Sequence, residues 1–167
     1  MEGHEFIEAA SLNQVGEFHH LFQHPVHQSP RIPSEDRCNL RINLLAEELQ
    51  EFTQALKEKD LVEAADALCD LQYVLSGAIH ELGLGPIFAE LFAEVHDSNM
   101  SKACPTLELA EQTAEHYKQT KGETCVIERV GDLYMVYRES DRKTMKSIAY
   151  RQADLSGILH KYQALKS

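Results

Sequence analysis

Residues 47–73 read EELQEFTQALKEKDLVEAADALCDLQY, and this stretch decides the fold of the chain. From Ile42, shortly before this stretch, apolar side chains recur at the spacing of one helix face: Ile42, Leu45, Leu49, Phe52 and Leu56. A second series follows at the same spacing: Leu61, Ala64, Leu68, Leu71, Leu75, Ala78 and Leu82. The pattern predicts two helices, each with one buried apolar stripe. The first ends near Glu58, Asp60 caps the second, and the short turn between them makes the two antiparallel.

Both predicted helices also carry acidic side chains: Glu47, Glu48 and Glu51 on the first, and Glu63, Asp66 and Asp70 on the second. Helical geometry places Glu48 and Glu51 beside the buried stripe and Glu47 nearer to solvent. A solvated acidic face is the simpler interpretation. However, the second helix contains no lysine or arginine, and partly buried carboxylates need a positive partner because desolvation is costly. Clustered carboxylates without Cys or His suit Mg²⁺ or Mn²⁺, so the sequence favours a divalent-metal site.

The antiparallel turn decides which carboxylates face each other. Counting outward from it at about 1.5 Å per residue places Glu51 level with residues 67 and 68, and Glu48 level with Leu71. Asp70 therefore becomes a further candidate ligand beside the main set.

Two of the candidate residues also have a structural explanation. Glu63 lies three residues after Asp60, the spacing of a capping box, which accounts for it without any metal. Arg41 falls in the same stripe as Glu48, so it is either a salt-bridge partner of that carboxylate or a phosphate contact.

The acidic residues form the motif EExxE from Glu47 to Glu51, followed by ExxD from Glu63 to Asp66, and Asn99-Met-Ser-Lys102 follows a further helix. In these motifs, over roughly residues 15–102, the chain resembles the all-α nucleoside triphosphate pyrophosphohydrolase superfamily. That superfamily includes MazG-like enzymes, dimeric dUTPases, dCTP pyrophosphatases and phosphoribosyl-ATP pyrophosphatase. The resemblance implies a mainly α fold with a four-helix-bundle-like core, Mg²⁺ as cofactor with Mn²⁺ as a substitute, and a homodimer or homotetramer.

The resemblance also implies roles for individual residues. The expected metal ligands are Glu48, Glu51, Glu63 and Asp66, with Asp70 as the further candidate, and Glu47 would orient or deprotonate the attacking water. The expected substrate contacts are Asn99 and Lys102 for the triphosphate or sugar, and Phe18, His19 and Phe22 for the nucleobase. Arg41 stays a candidate phosphate contact on its position in the helix alone. Ordinary core packing explains Phe18 and Phe22 equally well.

The expected reaction is Mg²⁺-dependent cleavage between the α and β phosphates of a nucleoside triphosphate, which gives a monophosphate and pyrophosphate. Phosphoribosyl-ATP hydrolysis is a near alternative. A different class of function is a non-catalytic α-helical interaction module, whose acidic stripe would bind a basic partner.

Outside the two central helices the chain predicts further elements in order. A first helix covers about residues 5–22, and a fourth, begun after Gly85-Pro86, buries Ile87, Phe88, Leu91, Phe92 and Val95. Beyond residue 104 we expect a helix over 107–119, a β-hairpin with strands 125–130 and 133–138, and a short helix over 152–163. The expected division is a core over residues 1–104 and an appendage over residues 105–167, packed as one compact unit.

The amino-acid composition limits the classes of binding partner that we expect. The formal net charge of −11 argues against nucleic acid and against an anionic membrane surface. Four cysteines without CxxC spacing predict reduced, buried thiols. With no charged leader before an apolar run and no stretch of 18 apolar residues, we expect a cytoplasmic protein.

Overall fold

The computed structural model describes residues 6–165. Its helices are α1 Ser11–Leu21, α2 Glu35–Glu58, α3 Leu61–Glu81, α4 Phe88–Met100, α5 Leu107–Lys121 and α6 Leu155–Ala164, with a 3₁₀ turn at Gly85–Ile87 before α4. The strands are β1 Cys125–Val130 and β2 Leu133–Arg138. The predicted mainly α fold with a C-terminal hairpin and a short last helix is confirmed. Residues 6–89 with 159–165 form one compact unit, and residues 90–158 form another; the predicted division after residue 104 stays a prediction.

The turn between α2 and α3 has the predicted chemistry. Lys59 adopts the left-handed conformation with a φ of 59°, which ends α2. The Asp60 carboxylate then accepts hydrogen bonds from the backbone N–H groups of Val62 and Glu63, at 3.0 and 3.1 Å. The Asp60 N–H donates to the Ala55 carbonyl at 3.0 Å, so the cap does not need the Glu63 side chain as its acceptor.

The apolar faces of α2 and α3 differ from the prediction. Small side chains are buried in this hairpin, namely Ala55, Ala64 and Ala67. Three large residues of the predicted stripe on each helix are instead more than 40% exposed: Ile42, Leu49 and Leu56 on α2, and Leu61, Leu68 and Leu75 on α3. The prediction of one buried stripe per helix was therefore wrong. Periodicity marks an apolar face, but alanines let two helix backbones approach closely, and the larger residues then fall outside the contact.

Helix α1 is shorter than predicted. It begins at Ser11, and residues 6–10 are not helical; the predicted start at residue 5 lies outside the described residues. Ile7 is 102% exposed, so it supplies none of the packing from which a short helix gains most of its stability. Val15, which is 1% exposed, anchors the remaining helix in the unit.

The proline-rich loop after α1 is ordered by backbone hydrogen bonds along the end of α3. The His27 N–H donates to the His80 carbonyl at 3.0 Å, and the Arg31 N–H donates to the Leu82 carbonyl at 2.9 Å. From the C-terminal segment of the same unit, the Tyr162 hydroxyl donates to the Gln28 carbonyl at 3.1 Å.

The unit of residues 90–158 is built around α5 and the hairpin. Its core contains Cys104, Ala110, Val136 and Met145, all buried. The strands pair antiparallel from Cys125 opposite Arg138 to Val130 opposite Leu133, so both predicted strand ranges are confirmed. Helix α5 ends before Gly122, whose φ of 65° suits glycine.

Several residues that were predicted to be buried are exposed. Phe92 and Val95 on α4 are 64% and 38% exposed, whereas Ile87 and Leu91 are buried as predicted. All four cysteines are free thiols, but Cys69 is exposed, so the prediction of buried thiols was wrong there. None of the helices within residues 6–165 combines the length and apolar character that crossing a membrane requires.

Candidate active site

Glu48 lies at the centre of the acidic cluster on α2 and α3. Its side chain is partly buried, and its Oε2 atom is buried without a hydrogen-bond partner. Burial raises the pKa of Glu48 above its ordinary value, and the negative charges of Asp70, Glu51, Glu47 and Asp66 raise it further. Among the described residues, the charges that act most strongly on Glu48 are thus all carboxylates. The structure brings these five carboxylates into one electrostatic neighbourhood.

The remaining acidic residues surround Glu48 at the surface. Glu47, Glu51, Asp66 and Asp70 are exposed, so the prediction that Glu51 points inward with Glu48 was wrong. Glu63, which is also exposed, lies closest to the turn and is not among the charges that act most strongly on Glu48. This agrees with the count along the antiparallel helices, which places Glu63 farther from Glu48 than Asp70.

The donor set suits a hard divalent cation. Within residues 6–165 no three Asp, Glu, His or Cys side chains converge closely enough, as they stand, to hold a metal ion. The fit of a divalent cation to the acidic cluster rests on two other observations. A desolvated carboxylate oxygen without a partner is costly and calls for a positive group, and an all-oxygen carboxylate set is the one that Mg²⁺ and Mn²⁺ prefer.

An aromatic cavity of about 280 Å³ lies between α1, α2 and α3. Its walls include Phe18 and Tyr73, whose ring centres lie 5.6 Å apart in an edge-to-face arrangement, and the apolar residues Leu44 and Val74. Leu44 precedes Glu48 by one helical turn on α2, so the cavity lies about 6 Å along the helix from the acidic cluster. The candidate residues predicted from sequence did not include Tyr73, although it follows Asp70 by three residues and so falls on the same face of α3.

The predicted nucleobase residues occupy different environments. Phe18 is half-buried and lines the cavity, whereas Phe22 is 57% exposed and packs on Phe18 with ring centres 4.4 Å apart. His19 also lines the cavity but is only 2% exposed. Their contact with a base stays a prediction.

His19 is held in the protein by both ring nitrogens. Nδ1 donates to the Pro25 carbonyl at 2.9 Å, and Nε2 lies 3.4 Å from a guanidinium nitrogen of Arg41. Burial lowers the pKa of His19 below its ordinary value; the hydrogen bond to Pro25 opposes the shift and the charge of Arg41 reinforces it. A neutral imidazole protonated at Nδ1 fits both contacts.

Arg41 belongs to a buried ion network with Arg37 and Glu81. The Glu81 side chain is 1% exposed, and both guanidinium groups donate to it, each through Nε at 3.0 Å and through Nη2. Burial opposes ionisation of Glu81, but the hydrogen bonds from the two arginines hold its pKa below the ordinary value. Arg41 therefore pairs with Glu81 and not with Glu48, so that part of the prediction was wrong.

The sequence contained a signal for this network that our prediction did not use. Arg37 and Glu81 lie equally far from Lys59 along the two antiparallel helices, so the count that aligned the acidic residues also aligns this pair. Gly77 makes room for it, because an added Cβ would lie 2.5 Å from Arg41 Nη1 and 3.0 Å from His19 Nε2.

Asn99 and Lys102 lie at and just after the end of α4, in the unit of residues 90–158. The Lys102 ammonium donates to Asn99 Oδ1 at 2.7 Å. Asn99 is exposed and Lys102 is half-buried. Their contact with a substrate stays a prediction.

Comparison with known proteins adds two findings. The family described as phosphoribosyl-ATP pyrophosphohydrolase matches residues 15–99, a range that begins within α1 and includes α2, α3 and the whole acidic cluster. The chain is also similar to uncharacterized protein L479 of Acanthamoeba polyphaga mimivirus, at 23% identity over 91% of this chain and 96% of that protein.

Proposed function

The chain belongs to the phosphoribosyl-ATP pyrophosphohydrolase family, and from this premise we propose that it is a cytoplasmic, Mg²⁺-dependent nucleoside triphosphate pyrophosphohydrolase. The family is one of hydrolases that act on phosphoric anhydrides. The proposed reaction cleaves between the α and β phosphates of a nucleoside or deoxynucleoside triphosphate and releases a monophosphate and pyrophosphate. The observation that carries this proposal is the unpartnered, buried oxygen of Glu48 among four further carboxylates, one helical turn from an aromatic cavity.

The acidic residues would hold the cation. Glu48, Glu51, Glu63 and Asp66 are the proposed ligands, and Asp70 is a further one because its charge acts on Glu48 more strongly than that of any other carboxylate. Held by these carboxylates, Mg²⁺ or a substituting Mn²⁺ would neutralise the triphosphate and would stabilise the negative charge that develops as the anhydride bond breaks. In a chain of net charge −11, such a bridge also offsets repulsion between the acidic site and its substrate.

Glu47 would act on water. It follows Ala46 on the exposed side of α2, adjacent to Glu48 but open to solvent. There its carboxylate can orient a water molecule, accept a proton as the water attacks, and return that proton to bulk solvent. A turnover rate of Glu47→Gln equal to that of the wild type would remove this role.

The aromatic cavity would hold the nucleobase. Its volume of about 280 Å³ is near the lower end for small-molecule sites, which suits a base more than a whole nucleotide. Phe18 and Tyr73 offer ring faces and edges for stacking. Arg41 lines the same cavity and is fixed by Glu81, so it can present a charge there at little entropic cost. Asn99 and Lys102 are proposed to contact the triphosphate or sugar.

The test is pyrophosphate release from a panel of ribonucleoside and deoxynucleoside triphosphates, with Mg²⁺, with Mn²⁺ and with EDTA. We expect metal-dependent formation of monophosphate and a loss of at least about 100-fold in Glu48→Ala, since this change removes the central ligand. Glu58→Ala is the matched control, because Glu58 is an exposed glutamate on the same helix, away from the cluster. Turnover that persists in Glu48→Ala, or is lost equally in the control, would contradict the assignment of the site.

Phosphoribosyl-ATP is the second candidate substrate, favoured by the description of the matching family. It enters the same assay, since its hydrolysis breaks the same kind of bond and needs the same carboxylates. A folded protein that turns over none of these compounds with metal present would instead favour a non-catalytic interaction module, in which carboxylate variants lose a basic partner and no activity changes.

We also propose that the chain forms a homodimer or homotetramer. The exposed residues on α2 and α3 recur every seven positions, so each helix presents a continuous apolar ridge to solvent: Ile42, Leu49 and Leu56, then Leu61, Leu68 and Leu75. Contiguous apolar surface of this kind is typical of an interface. Light scattering should show an oligomer at micromolar concentration that Leu49→Glu with Leu68→Glu converts to monomer. A monomeric wild-type protein would refute the proposal.

A further inference from the structure

A second cavity, of about 310 Å³, lies wholly within the unit of residues 90–158. Basic side chains from separate segments of this unit line it: Lys102, Lys121, Arg138, Lys143 and Lys146. Four of the nine lysines of a chain with net charge −11 thus meet at one concave surface. The carboxylate cluster on α2 and α3 contributes no residue to it.

The four lysines at this cavity make no ion pair with a described residue of the protein. No carboxylate within residues 6–165 lies within 4.0 Å of their ammonium groups, and the ion pairs at the cavity wall are made by Arg138. Lys121 and Lys146 lie over the rings of Tyr117 and Tyr150, at 5.1 and 4.2 Å from the ring centres. Such contacts restrict a lysine but leave its charge available to a ligand.

Arg138 has a different role, because its positive charge is already paired with carboxylates of the protein. It donates to Glu123 Oε1 at 2.8 Å and to both oxygens of Asp141 at 2.7 and 2.8 Å. Arg138 therefore fixes the wall of the cavity, while the lysines supply the positive field.

Glu123 adds a second observation that points to a ligand. It lines the cavity, and its Oε2 atom is buried without a hydrogen-bond partner, although Oε1 is bound by Arg138. An isolated lysine at a surface is satisfied by water, but a desolvated carboxylate oxygen requires a donor. A hydroxyl or amino group of a ligand would supply that donor, and the ligand's phosphates would meet the lysines.

We propose that this cavity binds a small phosphorylated molecule that also carries a hydroxyl or amino donor, with a nucleotide as the matching class. The site differs from the carboxylate cluster because its lysines already supply positive charge, so a phosphate group can bind there without a divalent cation. It goes beyond the proposed hydrolysis and does not depend on it. A nucleic acid is the less suitable ligand, because the chain is strongly acidic and these basic side chains gather at a single cavity of about 310 Å³.

The experiment is isothermal titration calorimetry of the full chain with inorganic tripolyphosphate and with ATP, in EDTA so that metal-dependent binding and hydrolysis are absent. We expect binding that weakens as salt rises, and a rise in Kd of roughly tenfold or more in Lys143→Gln/Lys146→Gln, since two charge-assisted contacts are lost. Lys57→Gln/Lys118→Gln makes the same change in charge at exposed lysines outside the cavity and should bind like the wild type. Lys102 is left intact because it is a proposed contact of the triphosphate substrate.

The outcomes separate this site from the carboxylate site. Absence of tripolyphosphate binding, equal loss in the two double variants, or binding that appears only with Mg²⁺ and disappears in Glu48→Gln would overturn the proposal. ATP should bind more tightly than tripolyphosphate because only ATP offers sugar hydroxyl and base amino donors to Glu123; the reverse order would overturn the role of that residue. A single-stranded oligonucleotide that competes more strongly per phosphate than ATP would make the ligand a nucleic acid and refute the small-molecule assignment.

Discussion

Glu81→Gln tests whether the buried ion network holds α2 against α3. Glu81 is 1% exposed, and the side chains of its partners Arg37 and Arg41 are 29% and 14% exposed. Removing one partner of a fully buried pair costs about 3–5 kcal/mol, because the remaining charge is left uncompensated. Water reaches both guanidinium groups in part, and glutamine keeps one acceptor oxygen, so we expect a loss of about 2–4 kcal/mol in the free energy of unfolding.

The assay is urea unfolding followed by circular dichroism at pH 7, supported by thermal melts. For a chain of this size the expected loss corresponds to a fall in Tm of roughly 5–15 °C. Glu111→Gln, at an exposed glutamate on α5, is the control and should change stability by less than about 0.5 kcal/mol. A Glu81→Gln protein as stable as this control would refute the reasoning, because it would mean that the network has no net stabilising effect.

The pH dependence of the stability difference between wild type and Glu81→Gln tests whether the ionised form of Glu81 stabilises the fold. The pKa of Glu81 is lower in the folded protein than its ordinary value of 4.5. The network's contribution is therefore complete above about pH 4.5 and is lost as the pH falls through the lowered, folded-state pKa. The stability difference between wild type and Glu81→Gln should stay constant near neutral pH and shrink in acid. A difference that grows as the pH falls would contradict the assignment.

Three further predictions follow from single residues. Gly77→Ala should destabilise the protein by about 1–2 kcal/mol in urea unfolding, although alanine favours helices, because its methyl group would lie 2.5 Å from a guanidinium nitrogen of the network; a stabilised variant would contradict the close approach. Asp141, whose pKa the hydrogen bonds from Arg138 lower to about 2, should titrate near pH 2 by carboxyl ¹³C NMR, and Arg138→Gln should return the midpoint toward 3.8. Thiol labelling should modify Cys69 rapidly in the folded protein and Cys104 only on unfolding, since the first is exposed and the second is 0% exposed; equal rates would be inconsistent with this burial.

Much of the secondary structure could be predicted from local sequence signals. The apolar period and the Asp60 cap predicted where α2 ends and where α3 begins, and Gly131-Asp132 between two β-rich runs predicted the hairpin. Such signals act between neighbours in the chain, so they survive without knowledge of the tertiary contacts. The order of the acidic residues along the hairpin was also predictable, because helical rise and one antiparallel turn fix which side chains are level.

What the sequence by itself determined is therefore the set of helices and strands, the acidic motif and its alignment across two helices. Only the tertiary structure decided which apolar residues are buried, since alanines in contact left the leucines outside, and only it showed that Arg41 serves Glu81 through space opened by Gly77. It likewise gathered Lys102, Lys121, Lys143 and Lys146 from distant positions at one cavity. Burial and long-range pairing depend on which surfaces meet, and the periodicity of a single segment carries no information about its partner.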